Sequence, residues 1–429
     1  MGAVLALFAL IVLMMIGVPV VYAFAGMTLV LVMVYGIDMS LIMTTGFWSI
    51  NSVILLALPL FIMTGYVMQA GGMAARLVHF VERIVGNAKH GMGTSMIISC
   101  GVFGAISGTA SAAVASIGTI MSGPMTRHGY PREYSSALLG VSSLLGLMIP
   151  PSITMILYAV VTRQSVAACF LATIGPGLLL IIFLIIRNWF KSKIFEQSNE
   201  VLNATEKTPI SKSALQAFPA LLIPVIILGG IYGGIFTPTE AAAVALIYAI
   251  PMSAIIYREL SLKALTESLV AAATTTGVII IILMFSFVAS RIFTMEQVPQ
   301  QLTDLLLSTF DSEILILLMV NLFLILLGMI MDDVSVVAIA SPLLLPVLVN
   351  IGIDPVHFAA IIGTSVIIGC NTPPMAPILF LSSRVCEVNT AKVIRPAVDL
   401  LITCALPVML ITTYWPDLSL FLPRLLGYM

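Results

Sequence analysis

Long apolar runs follow one another along this chain with few polar interruptions. A helix needs about 20 apolar residues to cross a bilayer. Runs of that order fall at roughly 3–17, 20–36, 47–67, 134–162, 168–188, 214–236, 238–257, 271–290, 355–382 and 398–421. A membrane barrel would instead alternate in short segments, so the predicted fold class is an all-α polytopic membrane protein. Two further stretches, about 93–122 and 313–350, are too long for one helix and carry a Gly/Ser/Thr or Asp break near the middle. Each is predicted to be a re-entrant helical hairpin that leaves by the side it entered. Such a turn is tolerable at membrane depth only when protein buries it or it lines a wet cavity.

The breaks recur. The first half reads Gly104-Ala105-Ile106-Ser107-Gly108-Thr109 and then Gly146-Leu147-Met148-Ile149-Pro150-Pro151. The second half reads Gly328-Met329-Ile330-Met331-Asp332-Asp333 and then Gly369-Cys370-Asn371-Thr372-Pro373-Pro374. The offsets are nearly equal, 224 for the first pair (328 − 104) and 223 for the second (369 − 146). Matched helix breakers in two halves of a membrane protein point to a transporter site. Each half reads as two crossings, a third crossing, a hairpin, a Pro-Pro-broken crossing and a last crossing. With an odd number of crossings per half, the second repeat (214–429) is inverted relative to the first (1–188). The charged stretch 189–213 is a linker between them.

Charge supports this count. On the predicted topology one side holds Arg76, Arg83, Lys89, Arg127, Arg132, Arg187, Lys191, Lys193, Lys207, Lys212, Arg258, Lys263, Arg384, Lys392 and Arg395. The other holds only Arg163, Arg291 and Arg424, which completes the 18 basic residues. The positive-inside rule makes the basic side cytoplasmic and puts both termini outside. Reading either hairpin as a full crossing would scatter these charges. Residues 1–17 have no basic residue before the apolar run and no small-residue cleavage site, so they read as a retained helix. Amphipathic segments at 74–85 and 298–310 precede the hairpins and read as interfacial helices. They are either arms holding a mobile hairpin bundle or plain surface helices.

Composition agrees: 60% of residues are hydrophobic and 9% charged, against about 25% charged in a soluble domain. The net charge of −1 carries no message about nucleic acid. Cys100, Cys169, Cys370, Cys386 and Cys404 lack metal-ligand spacing and read as apolar packing residues. His79, His90, His128 and His357 fall near membrane edges or loops, and none pairs with a carboxylate in a catalytic pattern.

The breaks offer oxygens. A proline frees the carbonyl four residues earlier, which exposes carbonyls at Gly146, Met148 and Ile149, and at Gly369, Asn371 and Thr372. Ser107, Thr109, Ser152 and Thr372 add hydroxyls. Hard cations take such ligands, and two symmetry-related Na⁺ sites are expected, one per half. Asp332 and Asp333 are costly in a membrane, at least about 2.5 kcal/mol for a carboxylate near its centre. They are functional groups at a hairpin tip, unless one of them serves as the N-cap of the helix that follows. The candidate substrate cavity comprises Gly108, Thr109, Ser152, Asp332, Asp333, Asn371 and Pro373. The run Thr237-Pro238-Thr239-Glu240 resembles a helix-capping arrangement.

Over essentially its whole length the chain resembles the large membrane subunit of TRAP (tripartite ATP-independent periplasmic) transporters, the DctM-like proteins. The resemblance rests on Gly17-Val18-Pro19, Phe103-Gly104-Ala105-Ile106-Ser107-Gly108, Gly146-Leu147-Met148-Ile149-Pro150-Pro151-Ser152, Gly234-Ile235-Phe236-Thr237-Pro238-Thr239-Glu240-Ala241-Ala242, Met331-Asp332 and Thr372-Pro373-Pro374. It implies an elevator-type, Na⁺-coupled transporter of the bacterial inner membrane, with Na⁺ the coupling ion and no cofactor. It implies two partners, a small four-helix membrane subunit and a periplasmic substrate-binding protein. Carried over by position, one sodium site falls on Ser107, Gly146, Ile149 and Pro151. The other falls on Gly328, Gly369, Thr372 and Met375. Some relatives carry serine at or near position 104, where this chain has Gly104. Many read Gly-x-Asn-Leu-Phe after the second Pro-Pro. This chain reads Met375-Ala376-Pro377-Ile378-Leu379-Phe380, which resembles the sialic-acid branch.

The expectation is therefore a Na⁺-coupled importer of an organic acid. A stand-alone Na⁺/dicarboxylate symporter of related inverted-repeat fold is the alternative. An intramembrane enzyme would need a nucleophile–base or metal constellation, and Asp332-Asp333 is the only buried ionisable cluster the sequence predicts.

Overall fold

The helices of the computed structural model follow the apolar runs. The structure describes residues 2–85, 91–193, 195, 209–310, 312–373 and 376–429, with only the backbone at Leu41. All regular elements among these residues are helical. The chain opens with α1 (Gly2–Met15), α2 (Val20–Tyr35), α3 (Ser40–Ile50) and α4 (Ala57–Ala70), the last entered through a 3₁₀ turn at Val53–Leu56. The amphipathic α5 (Met73–Val85) leads into α6 (Gly91–Ser107) and α7 (Ala110–Arg127), joined by a two-residue turn. Next come α8 (Arg132–Ser143), α9 (Leu145–Met148), α10 (Ile153–Thr162) and α11 (Val166–Ser192).

The second half repeats this order. It runs α12 (Ile210–Tyr232), α13 (Pro238–Pro251), α14 (Leu262–Met295), the amphipathic α15 (Val298–Thr309), and the close pair α16 (Glu313–Ile330) and α17 (Asp333–Asn350). Then follow α18 (Pro355–Cys370), α19 (Pro377–Val385), α20 (Thr390–Leu400), which continues through a π turn into α21 (Leu406–Tyr414), and α22 (Asp417–Leu425). Among the described residues eight helices are long and apolar enough to cross a membrane, or nine when the pair Arg132–Met148 and Ile153–Thr162, bent by 43°, is one broken span.

Two boundaries differ from the expected crossings. The run predicted at 47–67 is split between α3 and α4 at Asn51 and Ser52, whereas its counterpart α14 is one unbroken helix of 34 residues. Asn and Ser compete with the helix through their own backbone bonds. At the matching place in α14, Thr274 and Thr275 instead donate to the carbonyls of Val270 and Ala271, one turn back, and stay helical. The last run, predicted at 398–421, stops at Tyr414, because Trp415 precedes Pro416 and adopts extended backbone (φ −124°, ψ 84°). A residue before proline is pushed out of the α region.

Both segments expected to lie along the interface are helices. In α5, Leu77, Val78 and Val81 are buried while His79 points outward. Arg76 ties α5 to the loop before α14: it bonds Glu259 at 2.7 Å and lies 4.0 Å over the Tyr257 ring. The capping box at Thr237 and Glu240 is present, with the Glu240 N–H donating to Thr237 Oγ1 at 3.3 Å and the Thr237 N–H to Glu240 Oε2 at 2.8 Å. All five cysteines are buried free thiols. His357 lies in the first turn of α18, beside the loop, and is buried, with Nδ1 2.6 Å from Ser419 Oγ. The last crossings of the two halves are clamped where Arg187 on α11 bonds both Asp399 oxygens on α20, at 2.6 and 2.7 Å.

Candidate functional site

Each helix pair meets a helix break through two glycines. A β-carbon on Gly104 of α6 would lie 2.5 Å from the Cα of Gly146 in α9. A β-carbon on Gly369 of α18 would lie 2.7 Å from the Cα of Gly328 in α16. No side chain fits between backbones that close, so glycine is required on both faces. The offset that relates the breaks in sequence therefore also relates two contacts in space.

The α6–α7 turn is pinned to the first break. The Ile153 N–H donates to the Gly108 carbonyl at 3.2 Å. Gly108 has φ +65°, and a β-carbon there would meet the Pro151 carbonyl at 2.8 Å. The Thr109 carbonyl faces Gly146, 3.0 Å from where its β-carbon would be, and the Ser107 hydroxyl donates to that carbonyl at 3.5 Å. Ser107, Gly108, Thr109, Gly146 and Pro151 thus share one locus. The Ile149 side chain turns to the other face of the break, towards Gly101 and Gly177, so only its backbone is available to this locus. Thr109 and Ser152 also cap helices: their hydroxyls accept the N–H groups of Ala112 at 3.3 Å and Met155 at 3.4 Å.

The second break is less unwound than the Pro-Pro pair implies. The Gly369 carbonyl accepts the Thr372 N–H at 2.9 Å and is also approached by the Asn371 N–H. The Thr372 hydroxyl donates to the Ile368 carbonyl at 2.6 Å, leaving its own lone pairs free. Asn371 is fully buried, and its Oδ1 has no partner. A buried polar atom without a partner is uncommon and costs about 1–3 kcal/mol. Pro373 is half-buried beside Thr372. Met375, expected in the second sodium site, and Pro374 lie outside the described residues.

The two halves interlock at the breaks. Thr154, in the first turn of α10, donates to Asp333 Oδ2 at 2.7 Å. Asp332 holds the N-cap position of α17, yet its carboxylate takes the Ser335 hydroxyl rather than a backbone N–H. A β-carbon on Gly140 of α8 would sit 3.2 Å from Asn371 Oδ1 and 3.1 Å from Ser382 Oγ. Ser382 in turn shares a hydrogen bond of 3.4 Å with Ser136. Thr154, Ser335, Gly140 and Ser382 were missed in the sequence. A hydroxyl one turn after a proline break, as at Thr154, is the one signal that could have been used. Because Thr154 holds a carboxylate, Thr154→Val should destabilise the protein by about 1–3 kcal/mol. A thermal double-mutant cycle with Asp333→Asn should show coupling of about 1 kcal/mol. Additive effects would mean that Thr154 does not support Asp333.

This arrangement places uncharged oxygens and helix starts at two facing breaks inside a helical membrane protein. Residues 7–418 match the family described as "Tripartite ATP-independent periplasmic transporter, DctM component". The chain belongs to that TRAP transporter family. It is 35% identical to the C4-dicarboxylate TRAP transporter large permease protein DctM of Pseudomonas aeruginosa, over 87% of each chain. It is 34% identical to the sialic acid large permease SiaM of Vibrio cholerae, over 89% of this chain and 88% of that one. Against the isethionate TRAP permease DctMQ of Oleidesulfovibrio alaskensis it is 35% identical over 95% of its own length, but spans only 64% of that protein. The solved YdaH transporter of Alcanivorax borkumensis shares the fold, with a TM-score of 0.66 over 88% of each chain at 14% identity. The family and these relatives are transporter permeases rather than enzymes, and this TRAP chain is the large permease component of a bacterial multi-span membrane system.

Proposed function

We propose that this TRAP permease is a Na⁺-coupled importer of a small organic acid, working by an elevator motion of the helix pairs and broken helices against a frame of the remaining crossings. The observation that carries the reading is the matched pair of backbone contacts, Gly104 on Gly146 and Gly328 on Gly369, each beside a cluster of uncharged oxygens. Ser107, Gly146, Ile149 and Pro151 hold one sodium ion; Gly328, Gly369, Thr372 and Met375 hold the other. The helix pairs are re-entrant from opposite sides, the repeats are inverted, and both termini face the periplasm. The arms α5 and α15 carry the moving bundle.

The substrate anion sits between the breaks. Four helices begin there: α7, α10, α17 and α19. Helix N-termini favour negative charge and present free N–H groups. Asp332 and Asp333 occupy the start of α17, and Asp333 also meets the first turn of α10 through Thr154, so the substrate carboxylate faces the start of α7. The relatives are named for C4-dicarboxylates, sialic acid and isethionate, and we favour sialic acid for this chain on the run from Met375 to Phe380. A small membrane subunit and a periplasmic substrate-binding protein complete the system in the inner membrane.

The test is uptake into proteoliposomes that hold this chain with its small subunit and are supplied with the binding protein. Sialic acid, succinate and isethionate are the probes. Uptake should vanish when external Na⁺ is replaced by choline, and it should not require ATP. Equal uptake in choline would refute the coupling. Uptake by this chain alone, without a binding protein, would instead mark a stand-alone symporter.

A further inference from the structure

A second polar cavity lies away from the breaks, at the end of the molecule where basic residues gather. It has a volume of about 360 Å³ and is lined by the end of α7 (Ser122, Gly123, Thr126, Arg127), the start of α8 (Arg132, Ser135) and the turn after α19 (Val385, Cys386, Glu387). That volume suits a small metabolite. Three features point to an anion. Neither Arg127 nor Arg132 is in an ion pair among the described residues. Arg132 is the first residue of α8, where a cation opposes the helix dipole, so its placement is not explained by the helix. The α8 N-terminus adds backbone N–H groups, since Pro131 gives it no side-chain cap.

We propose that this cavity is a binding site for a small organic carboxylate, held by Arg127, Arg132 and the N-terminus of α8 on the cytoplasmic face of the permease. The inference rests on the transport reading above for its orientation and for the carboxylate, which is the transported acid after release from the breaks. Glu387, also in the lining, weakens retention: one carboxylate against two guanidiniums leaves net attraction but keeps the anion exchangeable. The site joins α7 to the turn after α19, so it fills where one element from each half meets.

Cys386 supplies a reporter inside the cavity. Burial pushes its thiol up to about 11, with a Ser136 hydrogen bond and then Arg132 pulling the other way, so labelling is run at alkaline pH, where the reactive thiolate is populated. In inside-out membrane vesicles holding the permease with its small subunit, labelling at Cys386 is followed by peptide mass spectrometry. An anionic methanethiosulfonate should react faster than a cationic one of the same size. Succinate or sialic acid at millimolar concentration should protect the thiol, and inorganic phosphate should protect at least about fivefold more weakly. Arg132→Gln should raise the half-protecting concentration about fivefold or more, and Glu387→Gln should lower it. Gly123→Leu should slow labelling with either reagent, because a β-carbon there meets nothing within 4 Å and the side chain grows into the opening. No protection by either acid, equal protection by phosphate, or an unchanged Arg132→Gln would overturn the site. Na⁺-driven uptake measured in parallel keeps the two readings separate: intact uptake without protection removes only this site, and loss of Na⁺ dependence removes the transport reading.

Discussion

Alanine at Gly104 or at Gly369 is expected to bring uptake down to background. At Gly104 the added carbon would lie 2.5 Å from Gly146 Cα and 2.8 Å from its nitrogen. At Gly369 it would lie 2.7 Å from both Gly328 Cα and the Ile325 carbonyl. These neighbours are backbone, so no side chain can swing away, and one helix must move off the other. Overpacking typically costs about 1–3 kcal/mol and sometimes more. Separating the contact by even a fraction of an ångström also pulls the Thr109 carbonyl, or Thr372, from its place beside the break. The matched controls are Gly229→Ala and Gly277→Ala, where a β-carbon meets nothing within 4 Å. In a helix these should be neutral or stabilising by up to about 1 kcal/mol. Melting temperature in detergent and initial uptake rate should be measured together. Native rates in Gly104→Ala and Gly369→Ala would mean that the close approach has no part in transport.

How far the sequence exposed these contacts depended on their range. The limbs α6, α7, α16 and α17, the amphipathic α5 and α15, and the Thr237 capping box all follow from patterns within a few turns of chain. The glycine contacts were legible for a different reason. The chain states them twice, at offsets of 224 and 223, and a repeat turns a local oddity into a spatial statement. What escaped is not repeated in its chemistry. Thr154 meets Asp333 across 179 positions, and Gly140 meets Asn371 across 231. The Asp-Asp step occurs only in the second half, and the counterpart of the Gly140–Asn371 pair at the offset of 223 is Gly363 beside Met148, a contact without the buried amide. Hydrophobic period fixes which face of a helix is buried, but not which helix of the other half it meets. The α3–α4 split was hidden for the opposite reason: both halves are apolar there, and Asn51-Ser52 interrupts too few residues to break the run. At the second break the Pro-Pro rule overstated the free carbonyls, because Thr372 closes a tight turn onto Gly369 before Pro373 ends the helix.

Thr372→Val should weaken Na⁺ dependence while leaving the fold in place. Valine keeps the branched shape and removes the hydroxyl. Two consequences follow from the geometry. The donor to the Ile368 carbonyl at 2.6 Å is lost, which costs stability on the scale of one hydrogen bond, about 0.5–1.5 kcal/mol. The oxygen offered to the second sodium ion is lost as well. Removing one of several oxygen ligands should weaken binding by about 1–3 kcal/mol, the scale of a buried group left unpaired. That raises the half-saturating Na⁺ concentration roughly five- to a hundred-fold at about 1.4 kcal/mol per decade. Thr372→Ser separates the two roles from packing, because it restores the hydroxyl without the methyl and should recover most of the Na⁺ dependence. Ile149→Val should change little, since the first break contributes the Ile149 backbone and not its side chain. The series should be run at fixed substrate and binding protein with surface expression checked. An unchanged Na⁺ dependence in Thr372→Val, with a lowered melting temperature, would assign Thr372 to closing the helix end alone and remove it from the second sodium site.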